Sequence, residues 1–263
     1  GGPRGADASR GTDGPALASP STGSAEQLVL RSPYDGTEVG RLPVSDAAAV
    51  DRAVHAAYLA QPKFAEMPVD RRAQILERAA SLLRARAEEM AALMCRETAR
   101  PIRELRVDVE RGATLLELSA RAARGLCGEV YPTAAVPREE PYLTFSVREP
   151  LGVVAAITGF NFPLVLNVNK LGPALAGGNT VLLKPASVTA LDAVLLASIL
   201  YDAGLPQHAL RVVVGPGETT GAALVAHREV AAISFTGGRK AGESVAALAA
   251  SPRAVACMTV MLA

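Results

Sequence analysis

The sequence contains no tryptophan, and aromatic residues make up only 4% of it. It also lacks an excess of either charge, with a formal net charge of +1 and no basic block. Nucleic-acid binding is not expected, because it calls for a cationic stripe interleaved with stacking side chains. Three cysteines, Cys95, Cys127 and Cys257, are too few and too scattered for a disulfide framework or a cysteine-rich zinc site. Cys95 and Cys127 are expected to be structural, and the setting reduced and cytoplasmic. None of the histidines, His55, His208 and His227, has a Cys, Asp or Glu placed to complete a metal set, so no metal is expected. No window approaches the ~18 apolar residues that a membrane span needs, and the amino terminus has no apolar signal core. An initiator methionine is absent too, and Gly1 to Ala25 are mostly Gly, Ala, Ser, Pro and Thr. That composition cannot bury enough apolar surface to offset chain ordering, so residues 1–27 are expected to be a disordered extension and the chain a fragment.

What is present is a chain of 263 residues, 49% hydrophobic, able to bury a sizeable core in roughly one and a half to two domains. A hairpin is predicted from Leu28-Val29-Leu30 and Val39-Gly40-Arg41-Leu42 around the Asp35-Gly36 turn. Ser45 or Asp46 can cap a helix burying Val50, Val54, Ala57 and Tyr58. The apolar spacing from Ile75 to Met94 predicts one long helix opening at Pro68, and a third helix opens at Pro101 and stops at Gly125. Leu143, Phe145 and Val147 alternate with polar residues, the pattern of a half-exposed strand near residues 142–149 that pairs at a sheet edge or with another subunit. Beyond Ala250 no period is evident.

Between Arg148 and Gly242 four apolar runs, Val153–Ile157, Thr180–Leu183, Val212–Val214 and Ala231–Phe235, alternate with segments of helical pattern. The alternation predicts an α/β fold, with a parallel sheet covered on both faces. Each run ends in a polar cluster, and ligands of such sheets bind beyond the carboxyl ends of the strands. Gly237-Gly238-Arg239-Lys240-Ala241-Gly242 leads into a helix and is the best phosphate candidate, although a tight turn accounts for it equally. Gly215-Pro216-Gly217-Glu218-Thr219-Thr220-Gly221 is a second such loop. Lys184, ending an apolar strand, either snorkels to water or meets ribose hydroxyls. Asn161 either caps the following helix or aims its amide at a developing oxyanion. Lys170, in an apolar helix, is by default an exposed lysine.

Taken together these features resemble the aldehyde dehydrogenase superfamily from Leu28 to Ala250. The most specific stretches are Glu149-Pro150-Leu151-Gly152-Val153-Val154, Phe160-Asn161-Phe162-Pro163, Lys170 to Thr180, Lys184-Pro185 and Phe235-Thr236-Gly237, whose order and spacing fit without a gap. Cys127-Gly128-Glu129-Val130-Tyr131-Pro132 and the helices before it are most similar to the subgroup acting on lactaldehyde, phosphorylated glyceraldehyde or semialdehydes. The resemblance implies a doubly wound, mostly parallel Rossmann-like sheet preceded by a hairpin and long helices. It implies NAD(P)-dependent oxidation of a small aldehyde to a carboxylic acid through a cysteine thiohemiacetal and thioester, in a homodimer or homotetramer when full length. Asn161 would then be the oxyanion-hole amide and Lys170 a polar residue of the catalytic tunnel. Lys184 and Ser187 would hold the adenosine ribose, with Gly217, Gly221, Phe235, Gly237 and Gly242 around the adenine and pyrophosphate. Ile157, Thr158, Phe160, Asn161, Thr236 and Gly238 complete the implied cofactor set. The family's glutamate at the position of Ser187 repels a 2′-phosphate, and a serine offers a hydroxyl donor instead, so NADP is expected to be slightly favoured over NAD.

The sequence departs from the family at its carboxyl end. The Glu-Leu-Gly-Gly motif bearing the general base belongs near Met258 to Val260, where the chain reads Cys257-Met258-Thr259-Val260-Met261. The nucleophilic cysteine belongs further on, and Cys257 does not take its place. Residues 251–263 are therefore expected to be an aberrant or truncated tail, from a natural truncation, a frameshift or an incomplete sequence, with the catalytic domain missing and the chain inactive alone. The alternatives are an inactive nucleotide-binding or subunit-interaction module, and a relative that transfers the acyl group to coenzyme A.

Overall fold

A computed structural model describes residue 17, residues 26–131 and 143–250, and the backbone of residues 255–261. The expected hairpin is present: β1 (Gln27–Arg31) and β2 (Glu38–Pro43) pair antiparallel. Asp46 caps α1 (Ala47–Ala65), accepting from the amide of Ala49 at 2.7 Å. Val50, Val54 and Ala57 are buried as expected, whereas Tyr58 is 51% exposed, because its phase places it at the edge of the apolar stripe.

The helix expected to run unbroken from Pro68 is two helices, α2 (Val69–Ala85) and α3 (Ala87–Thr98). The break is at Arg86, with φ −105 and ψ 24. No glycine or proline marks it. Packing decides it: the bend seats Met90 and Met94 in the core, while the Arg86 side chain bonds Glu89 at 2.7 Å and pairs with Asp202 at 3.6 Å. Pro101 precedes α4 (Ile102–Arg124), which ends at Gly125. The alternating segment near Phe145 forms only a short ladder, β3 (Val130–Tyr131) with β4 (Thr144–Phe145). The apolar face of this segment is exposed rather than covered, Leu143 by 78% and Phe145 by 60%, and among the described residues no core element lies beneath it.

The remaining elements are β5 (Val153–Ile157), α5 (Pro163–Ala176), β6 (Thr180–Lys184), α6 (Leu191–Asp202), β7 (Leu210–Val212), α7 (Ala222–Val225), β8 (Val230–Gly238), α8 (Arg239–Ala249) and β9 (Val255–Met261). They build one parallel sheet in the order β7-β6-β5-β8-β9. β9 is an addition to the four predicted runs; its backbone lies beside β8 although the sequence there shows no period. Every residue of β5 and β6 is buried, and alternate side chains enter opposite cores. Val154, Ala156, Val181 and Leu183 face the layer that includes α2, α4, α5 and α6. Val153, Ala155, Ile157 and Leu182 face Val50 and Val54 of α1, Leu224 of α7 and Val245 of α8. Burial on both faces is why these strands read as unbroken apolar runs.

Within the segment expected to be an extension, Leu17 is 6% exposed and forms a parallel bridge with Val212 at the sheet edge. The rest of residues 1–25, and the side chains of 251–263, lie outside the described residues. No helix among the described residues is long and apolar enough to cross a membrane.

Candidate functional site

The chain winds outward from β5 through β6 to β7, then returns to place β8 on the other side of β5. This switch point opens a crevice at the strand ends. A cavity of about 790 Å³ fills it. Its wall brings together Ile157, Thr158, Lys184, Gly217, Gly221, Phe235, Thr236, Gly237 and Gly238 from the expected set. Glu218, Arg239 and Lys240 of the two candidate loops join them, as do Val225 and Leu248, which no motif singled out.

Local sequence explains the shape. A Cβ on Gly237 would stand 2.6 Å from Phe235 Cζ, so the glycine lets the ring fold flat against the wall. Gly215, at φ +155, brings the chain within reach of Thr220, whose hydroxyl donates to the Ser45 carbonyl at 2.9 Å. The turn that follows, Gly217–Gly221, has five-residue π-helical bonding and rests on the stem of Lys184. At the opposite wall α8 begins at Gly238 with no side-chain cap, and a Cβ there would meet nothing within 4 Å. Uncapped amides and the positive helix end thus face open volume, which suits a phosphate.

Lys184 is 5% exposed, and its ammonium donates to the carbonyl of Pro185 at 3.1 Å. It does not snorkel to water. Burial pulls its pKa down to about 8, so a neighbouring hydroxyl or anion that solvates the ammonium is favoured. Lys170 is also buried, contrary to the default for an exposed lysine, and its ammonium donates to Ser234 Oγ at 3.1 Å. Its position two turns into α5 points it at β8, which only the packed sheet reveals.

Asn161 does not cap α5. The cap position is Phe162, with no side-chain cap bond, and the helix opens at Pro163. The carbonyl of Asn161 accepts from Arg100 Nη1 at 3.3 Å, and that guanidinium lies 4.6 Å from the centre of the Phe162 ring. Asp108, buried in α4, binds Arg100 at 2.7 Å. Arg100 and Asp108 thus clamp the loop carrying Asn161, and no local motif marks them.

Other expected residues stand apart from the cavity wall. Ser187 donates its hydroxyl proton to the Gly215 carbonyl at 2.9 Å, so in this arrangement it is no free donor. Phe160 is 63% exposed, and Gly242 is buried within the first turns of α8. Cys127 is exposed rather than packed, and Cys95 is half-buried. His55 meets Glu229 and His227 meets Asp51, each at 3.2 Å, tying α1 to the turn after α7. Among the described residues no group of His, Cys, Asp and Glu could hold a metal ion.

A buried polar cluster lies behind Thr158. Thr158 Oγ1 donates to Asn167 Oδ1 at 2.8 Å, and Asn167 Nδ2 donates to Asp192 Oδ2 at 3.2 Å. The amides of Leu191 and Asp192 donate to Glu97 at 2.8 and 3.2 Å. Burial raises the Glu97 carboxyl to about 7, and burial together with the Glu97 charge raises Asp192.

Sheet order and crevice define a doubly wound, Rossmann-like α/β protein. The aldehyde dehydrogenase family model matches residues 21–260, and the chain belongs to that family. The 3-sulfolactaldehyde dehydrogenase of Priestia megaterium is 40% identical over 222 residues, covering 84% of this chain and 46% of the relative. The NADP-dependent glyceraldehyde-3-phosphate dehydrogenase of Bacillus halodurans, solved with NADP, superposes with a TM-score of 0.85 at 33% identity, covering 90% of this chain and 50% of that one. PnpE in complex with nicotinamide adenine dinucleotide gives 0.84 at 33% identity, with 90% and 48% coverage. The chain therefore spans about half the length of the relatives it matches.

Proposed function

We propose that this chain supplies the dinucleotide site and the oxyanion amide of an NAD(P)-dependent aldehyde dehydrogenase that converts a small aldehyde into a carboxylic acid. The carrying observation is the crevice itself, where a buried lysine, an uncapped helix start and two glycine-rich turns converge on one cavity. The donor set fits a dinucleotide. Lys184 would donate to ribose hydroxyls, the first amides of α8 with Lys240 would hold the pyrophosphate, and Phe235, Val225 and Leu248 would pack an adenine. When bound, the nicotinamide supplies the electron acceptor for aldehyde oxidation. Asn161, held by Arg100, would donate its amide to the oxygen that gains negative charge as a nucleophile adds to the carbonyl. Lys170 would line the substrate side of the same strand ends. Relatives named for 3-sulfolactaldehyde and glyceraldehyde 3-phosphate support a small aldehyde as substrate.

NADP is placed slightly ahead of NAD. Position 187 carries no carboxylate, and two unit charges ~4 Å apart at an effective dielectric of ~20 oppose each other by about 4 kcal/mol. Glu218, on the cavity wall, acts in the other direction.

Calorimetric titration of the full chain with NAD and NADP tests this reading. Saturable binding of at least one is expected, with NADP at least as tight as NAD and weakened by Ser187→Glu. A folded chain that binds neither would refute it. Neither Cys95 nor Cys127 lies on the cavity wall, so no oxidation of lactaldehyde, succinic semialdehyde or glyceraldehyde 3-phosphate is expected from the chain alone. Turnover abolished by Cys257→Ser would overturn that expectation.

A further inference from the structure

A second cavity, of about 680 Å³, lies between α4 and α5 and shares no lining residue with the strand-end crevice. Arg106, Val107, Arg111 and Leu115 line it from α4, and Val165 and Asn169 from α5. Val107, Arg111 and Leu115 recur every four residues, as do Val165 and Asn169, so one stripe of each helix faces the opening.

This cavity adjoins the loop of Asn161. Val165 stands in the first turn of α5, directly after that loop. Gly112 of α4 rests against the same turn, where a Cβ on it would stand 3.4 Å from Leu164 Cδ2, so Arg111 is level with the start of α5. Asp108 joins the two sites: its Oδ2 accepts from Arg100, which holds the Asn161 carbonyl, and its Oδ1 accepts from Arg111.

The charges at the opening are unequally satisfied. Arg106 places two N–H groups on Glu88 at 2.9 and 2.8 Å, and Glu110 is held by Arg84 at 2.7 Å. Arg111 has only a long contact of 3.4 Å to Asp108, whose charge Arg100 already meets at 2.7 Å, and its side chain is 61% exposed. The exposed side chain of Asn169 forms no hydrogen bond among the described residues. Between them Val107, Leu115 and Val165 supply an apolar floor. A floor of this kind with a guanidinium at its rim suits a short aliphatic chain ending in an acidic group, because the guanidinium offers paired N–H donors to anionic oxygens.

We propose that Arg111 is a specificity-determining residue that selects aldehydes carrying an acidic group, holding that group in the α4–α5 cavity while the carbonyl end reaches the Asn161 amide. This rests on the assignment of Asn161 to the oxyanion and names the substrate class for that reading.

Amide NMR titration of the full chain tests it, with unreactive alcohol analogues of such aldehydes as probes. 4-Hydroxybutyrate, 3-hydroxypropanesulfonate and glycerol 3-phosphate separate carboxylate, sulfonate and phosphate, and 1,4-butanediol is the neutral control. The amides of Leu115 and Asn169 should shift saturably with at least one acid and more weakly with the diol. Arg111→Gln should weaken that acid about two- to fivefold, the range of an exposed ion pair, and leave the diol unchanged. The preference should shrink as salt is raised. Arg103→Gln, which removes an exposed charge elsewhere on α4, should change neither. Equal binding of acids and diol, no saturable binding of any acid, or a preference that survives in Arg111→Gln would overturn the proposal. An equal loss in Arg103→Gln would do so too, since it would reveal only the general field of the helix. NAD affinity, read by calorimetry on the same samples, should not change in Arg111→Gln, and a parallel loss there would show damage to the fold and overturn the assignment. A wild type that binds neither NAD nor NADP removes the dinucleotide reading, whereas dinucleotide binding without selection of acids removes this inference alone.

Discussion

The outer helices and the crevice treat charge in opposite ways. On α2, α3 and α4 arginines are matched with carboxylates: Arg84 with Glu110 and Glu117, Arg124 with Asp70 and Glu77, Arg106 with Glu88. These pairs are at least partly exposed, so each contributes little to stability. At the crevice Lys184 bonds only a backbone carbonyl, and Lys240 forms no ion pair among the described residues. Much of the charge on the helices is settled within the chain, and at the crevice Arg239 likewise pairs with Glu243 at 2.8 Å, which leaves Lys184 and Lys240 for something that binds. An ionic residue announces function less by its presence than by the lack of an internal partner.

The contrast predicts separable effects, of which the largest belongs to the helical core. Leu116→Ala, at a fully buried position of α4, should cost about 2–5 kcal/mol in urea unfolding while leaving dinucleotide affinity intact. A parallel loss of affinity would mean that the two regions are not separable. Lys184→Met should do the reverse, lowering affinity about ten- to a hundredfold, as expected for a charge-assisted hydrogen bond, with no loss of stability. Unchanged calorimetric affinity would leave the buried ammonium without the role assigned to it.

The buried carboxyls give a pH dependence of definite sign. Glu97 is raised from 4.5 to about 7, so the folded state holds a proton that the unfolded chain releases. Its stabilising contribution is full below pH 4.5 and is lost as pH rises through about 7. Asp192, raised in the same direction, adds to the slope. Urea midpoints at pH 5 and pH 8 should show a fall that Asp192→Asn makes shallower, and a wild-type slope that the variant leaves untouched would dismiss the coupling. The smallest effect is expected from Arg84→Ala, which removes two exposed pairs and should cost no more than about 1 kcal/mol. A loss twice that size in chemical unfolding would make the surface network a genuine support of the helical layer.

Legibility followed the range of the interactions involved. The runs at Val153–Ile157 and Thr180–Lys184 could be read because both faces of a central parallel strand are buried, which leaves an unbroken apolar signature. The hairpin turn at Asp35-Gly36 and the Asp46 cap were equally local, each decided within a few residues. Lys184 and the glycines of the two turns stood out because strand ends and tight turns have their own chemistry. By contrast, the break at Arg86 and the exposure of Phe145 depend on what packs against each segment. β9 had no period at all.

By itself, then, the sequence determined the alternation of strands and helices and the placing of polar clusters at strand ends, since side-chain period and turn chemistry act between near neighbours. It could not determine which polar residues would find each other. Lys170 meets Ser234 across 64 positions, Arg100 meets Asn161 across 61, and Glu97 reaches the amide of Asp192 across 95. Those meetings exist only once α3, α5, α6 and the sheet are packed, because hydrogen bonds of a few ångströms are set by the tertiary positions of whole elements rather than by any property of the residues they join.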